Sequence, residues 1–282
     1  MILLTGITGK TGGAIANALL DRGIKFRALA RDTEKAAAYA ERGVEVVQGD
    51  LGDATTVDAA LQDCDQAVLI LPNSKEQEQL ELAFISAAEK SGVKHFVKLS
   101  SPEAVRGTTS PIPLAHIAAE DAIMASDMNW TLVRPSFFMQ NLMGSIAGAK
   151  ATGTLAMPMG NGTVSPTDVK DAGEFFAEVL TQGEAHYGQT YDFCGPEIVS
   201  FSQIAEQLSE VLGQDIQYKH ADPAAFKEKM RPILTSDWHS DAVEILFAEI
   251  ADDTTPGFMT ETFEEVVGRK PTSFKEFLRK LG

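Results

Sequence analysis

Cysteine is nearly missing: Cys64 and Cys194 are the two cysteines in 282 residues. They lie far apart and form no Cys-x-x-Cys pair. That pattern argues against a disulfide framework and against a zinc site, so no metal is expected. Both read as small apolar packing residues. Long apolar runs are missing too; none approaches the ~20 residues needed to cross a bilayer. Positive charge is scarce, with 24 Lys and Arg against 40 Asp and Glu and a net charge of −16. Such a chain is a poor partner for nucleic-acid phosphates. It also repels an anionic dinucleotide at long range, so local cations must compensate at any such site, whereas a cationic or neutral substrate meets no barrier. The plainer consequence of the acidity is solubility. No basic, apolar, cleavable leader precedes the first strand, so a cytoplasmic location is expected. Internal repeats, low-complexity tracts and long linkers are absent.

What is present is a substantial apolar content, 44% of the residues. The length suits one large α/β unit, or such a unit with a small appended lobe. The chain is organised around Gly6-Ile7-Thr8-Gly9-Lys10-Thr11-Gly12-Gly13. An apolar run, Met1 to Leu4, stops at its edge, and an amphipathic segment, Ala14 to Leu20, leaves from the other side. Strand, glycine loop and helix is the order a dinucleotide phosphate site requires. Gly6 and Gly9 permit the turn, Gly9 and Gly12 let peptide N–H groups approach a pyrophosphate, and Gly12 and Gly13 let the helix pack closely. The helix N-terminus then offers unpaired donors and partial positive charge to an anion. The spacing is Gly-x-x-Gly-x-x-Gly, not the commoner Gly-x-Gly-x-x-Gly.

Strand and helix character alternate through the first half. Further strands are expected at 25–30, 44–48, 66–71, 94–99 and 130–134, with helices at 34–41, 54–61, 75–91 and 114–125. The apolar run at 66–71 is of the kind that parallel sheets bury on both faces. This rhythm predicts an α/β fold, a Rossmann-type doubly wound parallel sheet, with ligands along the strand C-terminal ends. After Pro135 the rhythm loosens. Helices are expected at 136–150 and 168–180, a loop at 153–163 and a seventh strand at 190–193. Four helices (202–212, 223–230, 237–250 and 274–281) dominate the tail. The expected division is a nucleotide-binding domain over 1–195, with a substrate-side insertion at about 136–162, and a smaller, mostly helical C-terminal lobe over 196–282.

The residue closing the second strand decides between nicotinamide cofactors. An acidic side chain there binds a ribose 2′-hydroxyl, and an arginine favours a 2′-phosphate. The sequence reads Leu29-Ala30-Arg31-Asp32. Arg31 stands about 20 residues past the glycine loop, and its planar fork suits a phosphate. Lys10 adds charge nearby. The preferred reading is therefore NADP(H); in the other reading Arg31 is a solvated surface residue and Asp32 binds the ribose of NAD(H). Gly49-Asp50-Leu51 follows the third strand beside the expected adenine position. Asp50 either accepts from the adenine amine or simply closes its turn. Leu71-Pro72 closes the fourth strand near the nicotinamide ribose, and Lys98-Leu99-Ser100-Ser101 closes the fifth near the reacting ring.

The glycine loop, Arg31, Gly49-Asp50, Lys98-Leu99-Ser100-Ser101 and Trp130-Thr131-Leu132-Val133-Arg134-Pro135 together resemble the NmrA-like atypical short-chain dehydrogenase/reductase family. Pro113-Leu114-Ala115-His116, followed by Glu120, resembles its NADPH-dependent triphenylmethane reductase and quinone reductase branch. The resemblance extends to Gly268-Arg269-x-Pro271 and Phe274-x-x-Phe277-Leu278. It implies that Gly6, Thr8, Gly9, Lys10, Thr11, Gly12, Arg31, Asp50 and Leu51 hold NADPH, joined by the turns carrying Leu71, Pro72, Lys98 and Ser100.

Most short-chain dehydrogenases carry Tyr-x-x-x-Lys on the helix after the fifth strand. Here that helix offers His116-Ile117-Ala118-Ala119-Glu120, with both side chains on one face but different chemistry. Alcohol oxidation through a tyrosinate is therefore not expected, and acceptors needing little proton assistance are. A triarylmethane cation is neutral once it gains a hydride. A quinone gives a hydroquinone anion that water or His116 protonates, since imidazole has an ordinary pKa of ~6.5. His116 is either that acid or a residue that orients the site, and Glu120 reads as its structural neighbour. A small apolar or conjugated substrate is expected between the nicotinamide and the region after the sixth strand. Phe137, Phe138, Met139, Asn141 and Met157 are the candidates there, with Phe138 the stacking residue and Trp238 and His239 as a cap. The reading is an NADPH-dependent reductase of quinones, dyes or similar acceptors. The alternative is a non-catalytic NADP-sensing regulator that binds a protein partner. No membrane and no nucleic acid are expected as partners, and monomer and homodimer remain open.

Overall fold

The computed structural model describes residues 1–234 and 236–281. Its elements run β1 (Ile2–Thr5), α1 (Lys10–Asp21), β2 (Phe26–Ala30), α2 (Ala37–Glu41), β3 (Glu45–Gln48), α3 (Ala54–Leu61), β4 (Gln66–Leu69), α4 (Gln77–Lys90), β5 (His95–Leu99), α5 (Pro111–Ala125) and β6 (Asn129–Pro135). Then come α6 (Met143–Thr152), β7 (Thr154–Met157), β8 (Thr163–Val164), α7 (Val169–Gln182), β9 (Gln189–Phe193), β10 (Val199–Ser200), α8 (Phe201–Leu212), β11 (Gln217–His220), α9 (Pro223–Met230), α10 (Asp237–Ala251), α11 (Thr262–Val267) and α12 (Phe274–Arg279).

Seven strands form one sheet in the order β3-β2-β1-β4-β5-β6-β9. The neighbours from β3 to β6 pair in parallel. The first six follow the doubly wound order, whose direction reverses between β1 and β4. Alternate residues Leu3, Leu29, Ala67, Leu69, Phe96 and Leu132 join one buried cluster with Val57, Leu61, Phe84, Ile85, Ala119 and Ile123 from α3, α4 and α5. Phe84 and Phe96 are fully buried there, 5.9 Å apart between ring centroids; burying each stabilises the fold by ~1.5–3 kcal/mol. On α1 and α7 the packing is backbone against backbone. A Cβ on Gly173 would lie 2.6 Å from the Ala14 carbonyl carbon.

The chain divides into two units. The first holds residues 1–108, 113–134 and 169–192, and the second holds 109–112, 135–168 and 193–282. The last division falls at 192/193, close to the expected 195, and residues 135–168, which include the expected insertion, group with the tail. The stretch expected as a loop at 153–163 supplies β7, which pairs in parallel with β11, and the start of β8, which pairs antiparallel with β10. The pairing partners lie some 40 to 60 residues later, so local pattern does not announce them. A core of Met139, Leu142, Ile146, Leu155, Met157, Met159, Phe201, Ile204, Leu208, Phe274 and Phe277 fills the second unit. Ser200 with Gln203, and Ser273 with Glu276, form capping boxes that start α8 and α12, each satisfying two otherwise orphaned N–H groups. Helix 34–41 begins late, at Ala37, because the Asp32 carboxylate accepts from the Glu34 and Lys35 N–H groups and holds a turn there. Segment 136–150 opens with a 3-10 turn at Met139–Leu142 before α6. Among the described residues no helix is long and apolar enough to cross a membrane.

At the N-terminal end of β5, His95 is fully buried. Its Nε2 lies 2.8 Å from Thr131 Oγ1, which itself donates to the His186 carbonyl at 2.7 Å. The imidazole is thereby the donor to Thr131. Burial first, and the neighbouring His186 second, push the His95 pKa down to about 4. A histidine depressed in the folded state holds its full stabilisation above the unfolded value near ~6.5 and loses it as pH falls through the folded value. Burial lowers His186 in the same direction. The free energy of unfolding in urea is expected to fall by ~2 kcal/mol from His95 alone between pH 7.5 and 5, above the carboxylate range. His95→Gln should flatten that slope; an unchanged slope excludes this residue as its source.

Candidate active site

The glycine loop is built from β1 outward. Thr5 is 1% exposed, and its hydroxyl accepts the Ile70 N–H at 2.8 Å, tying the end of β1 to the chain just past β4. Gly6 has φ +70°, and a Cβ there would lie 2.9 Å from the Ile70 carbonyl oxygen. The Gly9 N–H donates to the Gly6 carbonyl at 2.9 Å. A Cβ on Gly12 would stand 2.1 Å from the same carbonyl oxygen, so α1 approaches the loop more closely than any side chain permits. Gly9 is the N-cap of α1; no side chain caps it, and no acidic residue occupies the first turn. Thr8, Gly9 and Lys10 are exposed. This arrangement suits a phosphate-sized anion.

Arg31, at the end of β2, is 76% exposed at its side chain, and its Nε lies 3.8 Å from Asp50 Oδ2. Arg31, Gln48, Gly49, Asp50, Asp53 and Thr56 line one concavity. Asp32 is spent on its own turn, and Lys35 N–H and Nζ hold its carboxyl below the usual range. Both strand-end residues are exposed, but the aspartate oxygens are engaged by its own turn and by Lys35, while the guanidinium meets only the 3.8 Å approach of Asp50 among the described contacts. Asp50 Oδ1 accepts the Gly52 N–H at 2.8 Å, so one of its oxygens closes the turn. Leu51 and Leu71 pack their side chains partly against the core, while Pro72 is exposed.

At the end of β5 the structure departs from expectation for Lys98. Its side chain is fully buried and donates to Glu81 Oε1 of α4 at 2.7 Å and to the Leu99 carbonyl at 3.2 Å. Gln77 donates to the same Glu81 oxygen at 3.2 Å. Lys98 thus turns into the core, and its backbone lies within β5. Burial lowers its pKa, against the opposing pull of Glu81 and Glu120. Ser100 donates to Glu120 Oε1 at 2.5 Å, Arg134 Nε donates to the same oxygen at 2.8 Å, and Arg134 Nη2 donates to Oε2. Glu120, 3% exposed, therefore pins the ends of β5 and β6 to α5.

His116, one turn earlier on α5, is 8% exposed, and its Nδ1 is buried without a hydrogen-bond partner. Burial first, then the charges of Lys98 and Arg134, hold its pKa well below the ordinary value. The ring is neutral at neutral pH. Two cations and two carboxylates already balance around it, and a charged imidazolium would be uncompensated. Glu120 is the structural neighbour the sequence suggested, but its bonds to Ser100 and Arg134, and the Lys98–Glu81 pair, were not expected from sequence. The available signals are a lysine inside a strand flanked by strands on both sides, and Gln77 and Glu81 one turn apart on α4.

The residues expected on the substrate side all lie in the second unit. Met139 and Met157, at 0% and 2% exposure, are core residues rather than pocket lining. Phe137 is half-buried, edge-on to Phe201 at 6.4 Å. Met139 N–H donates to the Thr167 carbonyl and Thr167 N–H to that of Phe137, which fixes the segment and leaves Phe138 half-buried. Asn141 is exposed, and Trp238 and His239 are half-buried on the first turn of α10.

A doubly wound sheet with an uncapped glycine loop at its first βα corner defines a dinucleotide-binding protein. The NmrA-like family model matches residues 1–278, and the chain belongs to that family. It is 33% identical over 281 residues to the NAD(P)H azoreductase of Xenophilus azovorans, covering 99% of this chain and 97% of that protein. In fold it resembles the NADPH complex of the Escherichia coli quinone oxidoreductase QOR2, with a TM-score of 0.89, 24% identity and coverage of 100% and 99%. It also resembles the Citrobacter triphenylmethane reductase complexed with NADP(H), with a TM-score of 0.87, 22% identity and coverage of 99% of each chain.

Proposed function

We propose that this protein is an NADPH-dependent reductase that transfers a hydride to a quinone, an azo or triarylmethane dye, or a similar conjugated acceptor, without a Tyr-x-x-x-Lys pair. The observation that carries the reading is the pairing of two features. One is the cradle at Gly6–Gly12, which a single Cβ would close. The other is the outward Arg31 above the Gly49-Asp50 turn. The cradle fits a pyrophosphate, and the guanidinium fits a 2′-phosphate. The relatives support the acceptor class.

Gly6, Thr8, Gly9, Lys10, Thr11 and Gly12 would hold the pyrophosphate, Arg31 the 2′-phosphate, Asp50 and Leu51 the adenine side, and Leu71, Pro72 and Ser100 the nicotinamide side. When bound, NADPH supplies the hydride. The chain's own part is to orient the donor and acceptor and to exclude water. His116, held neutral, positions through a hydrogen bond rather than delivering a proton as imidazolium, and water protonates a hydroquinone anion. Phe138 and Asn141 are the acceptor-side residues.

The test mixes purified protein with NADPH and a panel of quinones, azo dyes and triarylmethane dyes, followed at the cofactor absorbance band from pH 6 to 8.5. Turnover with no ionisation in that window is expected; tight cofactor binding without turnover on any acceptor overturns the reading. Arg31→Glu removes a charge-assisted contact worth ~1.5–3 kcal/mol. The NADPH Michaelis constant should rise ~10–100-fold while that for NADH moves less than ~threefold, by the same free-energy scale. Equal changes for both cofactors would remove Arg31 from the 2′-phosphate.

A further inference from the structure

The second unit contains a cavity that shares no residue with the dinucleotide cradle. Its volume is about 290 Å³, and α9, α10 and the ends of β7 and β11 enclose it. Phe226, Met230, Leu234, Phe247 and Ala248 supply apolar lining. The Phe226 and Phe247 rings, both in the lining, sit 6.0 Å apart at 55°. The charged lining is Lys227, Glu244 and Asp252, beside the polar His220 and Ser240. Lys227 is held by Asp241 at 2.6 Å and Glu244 at 2.7 Å, so its one charge is already met by two carboxylates. Glu244 and Asp252 both line the cavity, which leaves it with an excess of negative charge.

We propose that this cavity is a binding site for a two-ring aromatic cation, such as an aryl-methylammonium. Size sets the first limit. An apolar cavity of ~150 Å³ holds benzene, so roughly twice that volume admits two fused rings. Chemistry sets the second. Aromatic rings and a thioether favour a flat, polarizable guest. A cation gains from the ring faces and from the surplus carboxylates, whereas an anion of the same shape is repelled by both. The proposal is independent of the reductase reading, because it needs neither NADPH nor turnover.

Calorimetry on the full chain tests it, using 1-naphthylmethylammonium, 1-naphthylmethanol and 1-naphthoate at pH 7. The ammonium should bind at least tenfold more tightly than the carboxylate, with the alcohol between them. Glu244→Gln together with Asp252→Asn should bring the three within about threefold of one another. Ala248→Trp, which fills the cavity, should weaken the ammonium at least tenfold while thermal unfolding stays cooperative. Should that variant fail to fold, Ala251→Leu, three residues further along α10, serves in its place with the same expectation. Equal binding of naphthoate and the ammonium, binding that survives the filled cavity, or no binding of the ammonium at millimolar concentration would each overturn the proposal.

Discussion

A Gly12→Ala protein is expected to lose NADPH binding by ~100-fold or more, equivalent to ~2.7 kcal/mol. The reason is local and steric. The new Cβ would stand 2.1 Å from the Gly6 carbonyl oxygen and 2.5 Å from its carbon, both backbone atoms that no rotamer change relieves. One of two things must move. If the loop opens, the Gly9 N–H loses its 2.9 Å bond to Gly6, and the set of N–H groups facing the phosphate is scattered. If α1 retreats instead, it meets α7, where Gly173 already admits the backbone of Ala14 at a distance that excludes a side chain. Either route costs stability as well as affinity. Gly9→Ala is the control: its Cβ would meet only the Gly6 carbonyl oxygen, at 3.3 Å, and Gly9 has φ −87° and ψ 170°, a conformation open to alanine. Its unfolding free energy should stay within ~0.5 kcal/mol of the parent. Calorimetric titration with NADPH and urea unfolding of both variants give the answer. A Gly12→Ala protein that binds NADPH as the parent does would mean that the cofactor does not use this corner.

The same corner shows what sequence makes legible. Its glycines are close together in the chain, and the collisions avoided at Gly9 and Gly12 are with the loop itself, so a local pattern carries that geometry; those at Gly6 and Gly13 are with Ile70 and Tyr39, which the fold brings in. The sheet order follows from the βαβ rhythm and the topological rules that restrict it. Arg31 and Asp32 illustrate a finer limit. Both types suit a ribose site, and only the fold reveals that Asp32 is tied to Glu34 and Lys35. Met139 and Met157 illustrate another. Flexible thioethers suit a pocket and a core equally well, and these two are buried in a cluster that includes residues of α8 and α12, far along the chain. β7 is hidden for the same reason, since its partner β11 begins at Gln217. The charge cluster around Glu120 joins β5, α5 and β6, and no spacing rule links Ser100 with Arg134. Residues whose partners are near in sequence can be placed by pattern; residues whose partners arrive through tertiary packing cannot.

The buried ion pair behind β5 gives the largest expected effect on stability. Lys98→Met leaves Glu81, 1% exposed at its side chain, without its cation. Removing one partner of a buried pair typically costs ~3–5 kcal/mol, because the remaining charge is neither solvated nor compensated. Gln77, which donates to Glu81 Oε1, is a neutral group and offsets little of that. Glu81→Leu alone should be comparably damaging, because it strands the Lys98 ammonium in the core. The double variant, Glu81→Leu with Lys98→Met, restores most of the loss, since apolar side chains of similar volume replace a pair whose attraction is largely consumed by desolvation. The urea unfolding curves of the parent and the three variants therefore form a cycle with a coupling energy of at least ~3 kcal/mol. Additive single losses would mean that the two groups do not act as a pair. Because Lys98 also weighs on His116, the double variant removes one of the two cations that keep the imidazole neutral. The His116 pKa should then rise, measured by NMR titration of its ring protons, with Arg134 and burial still holding it below the ordinary value.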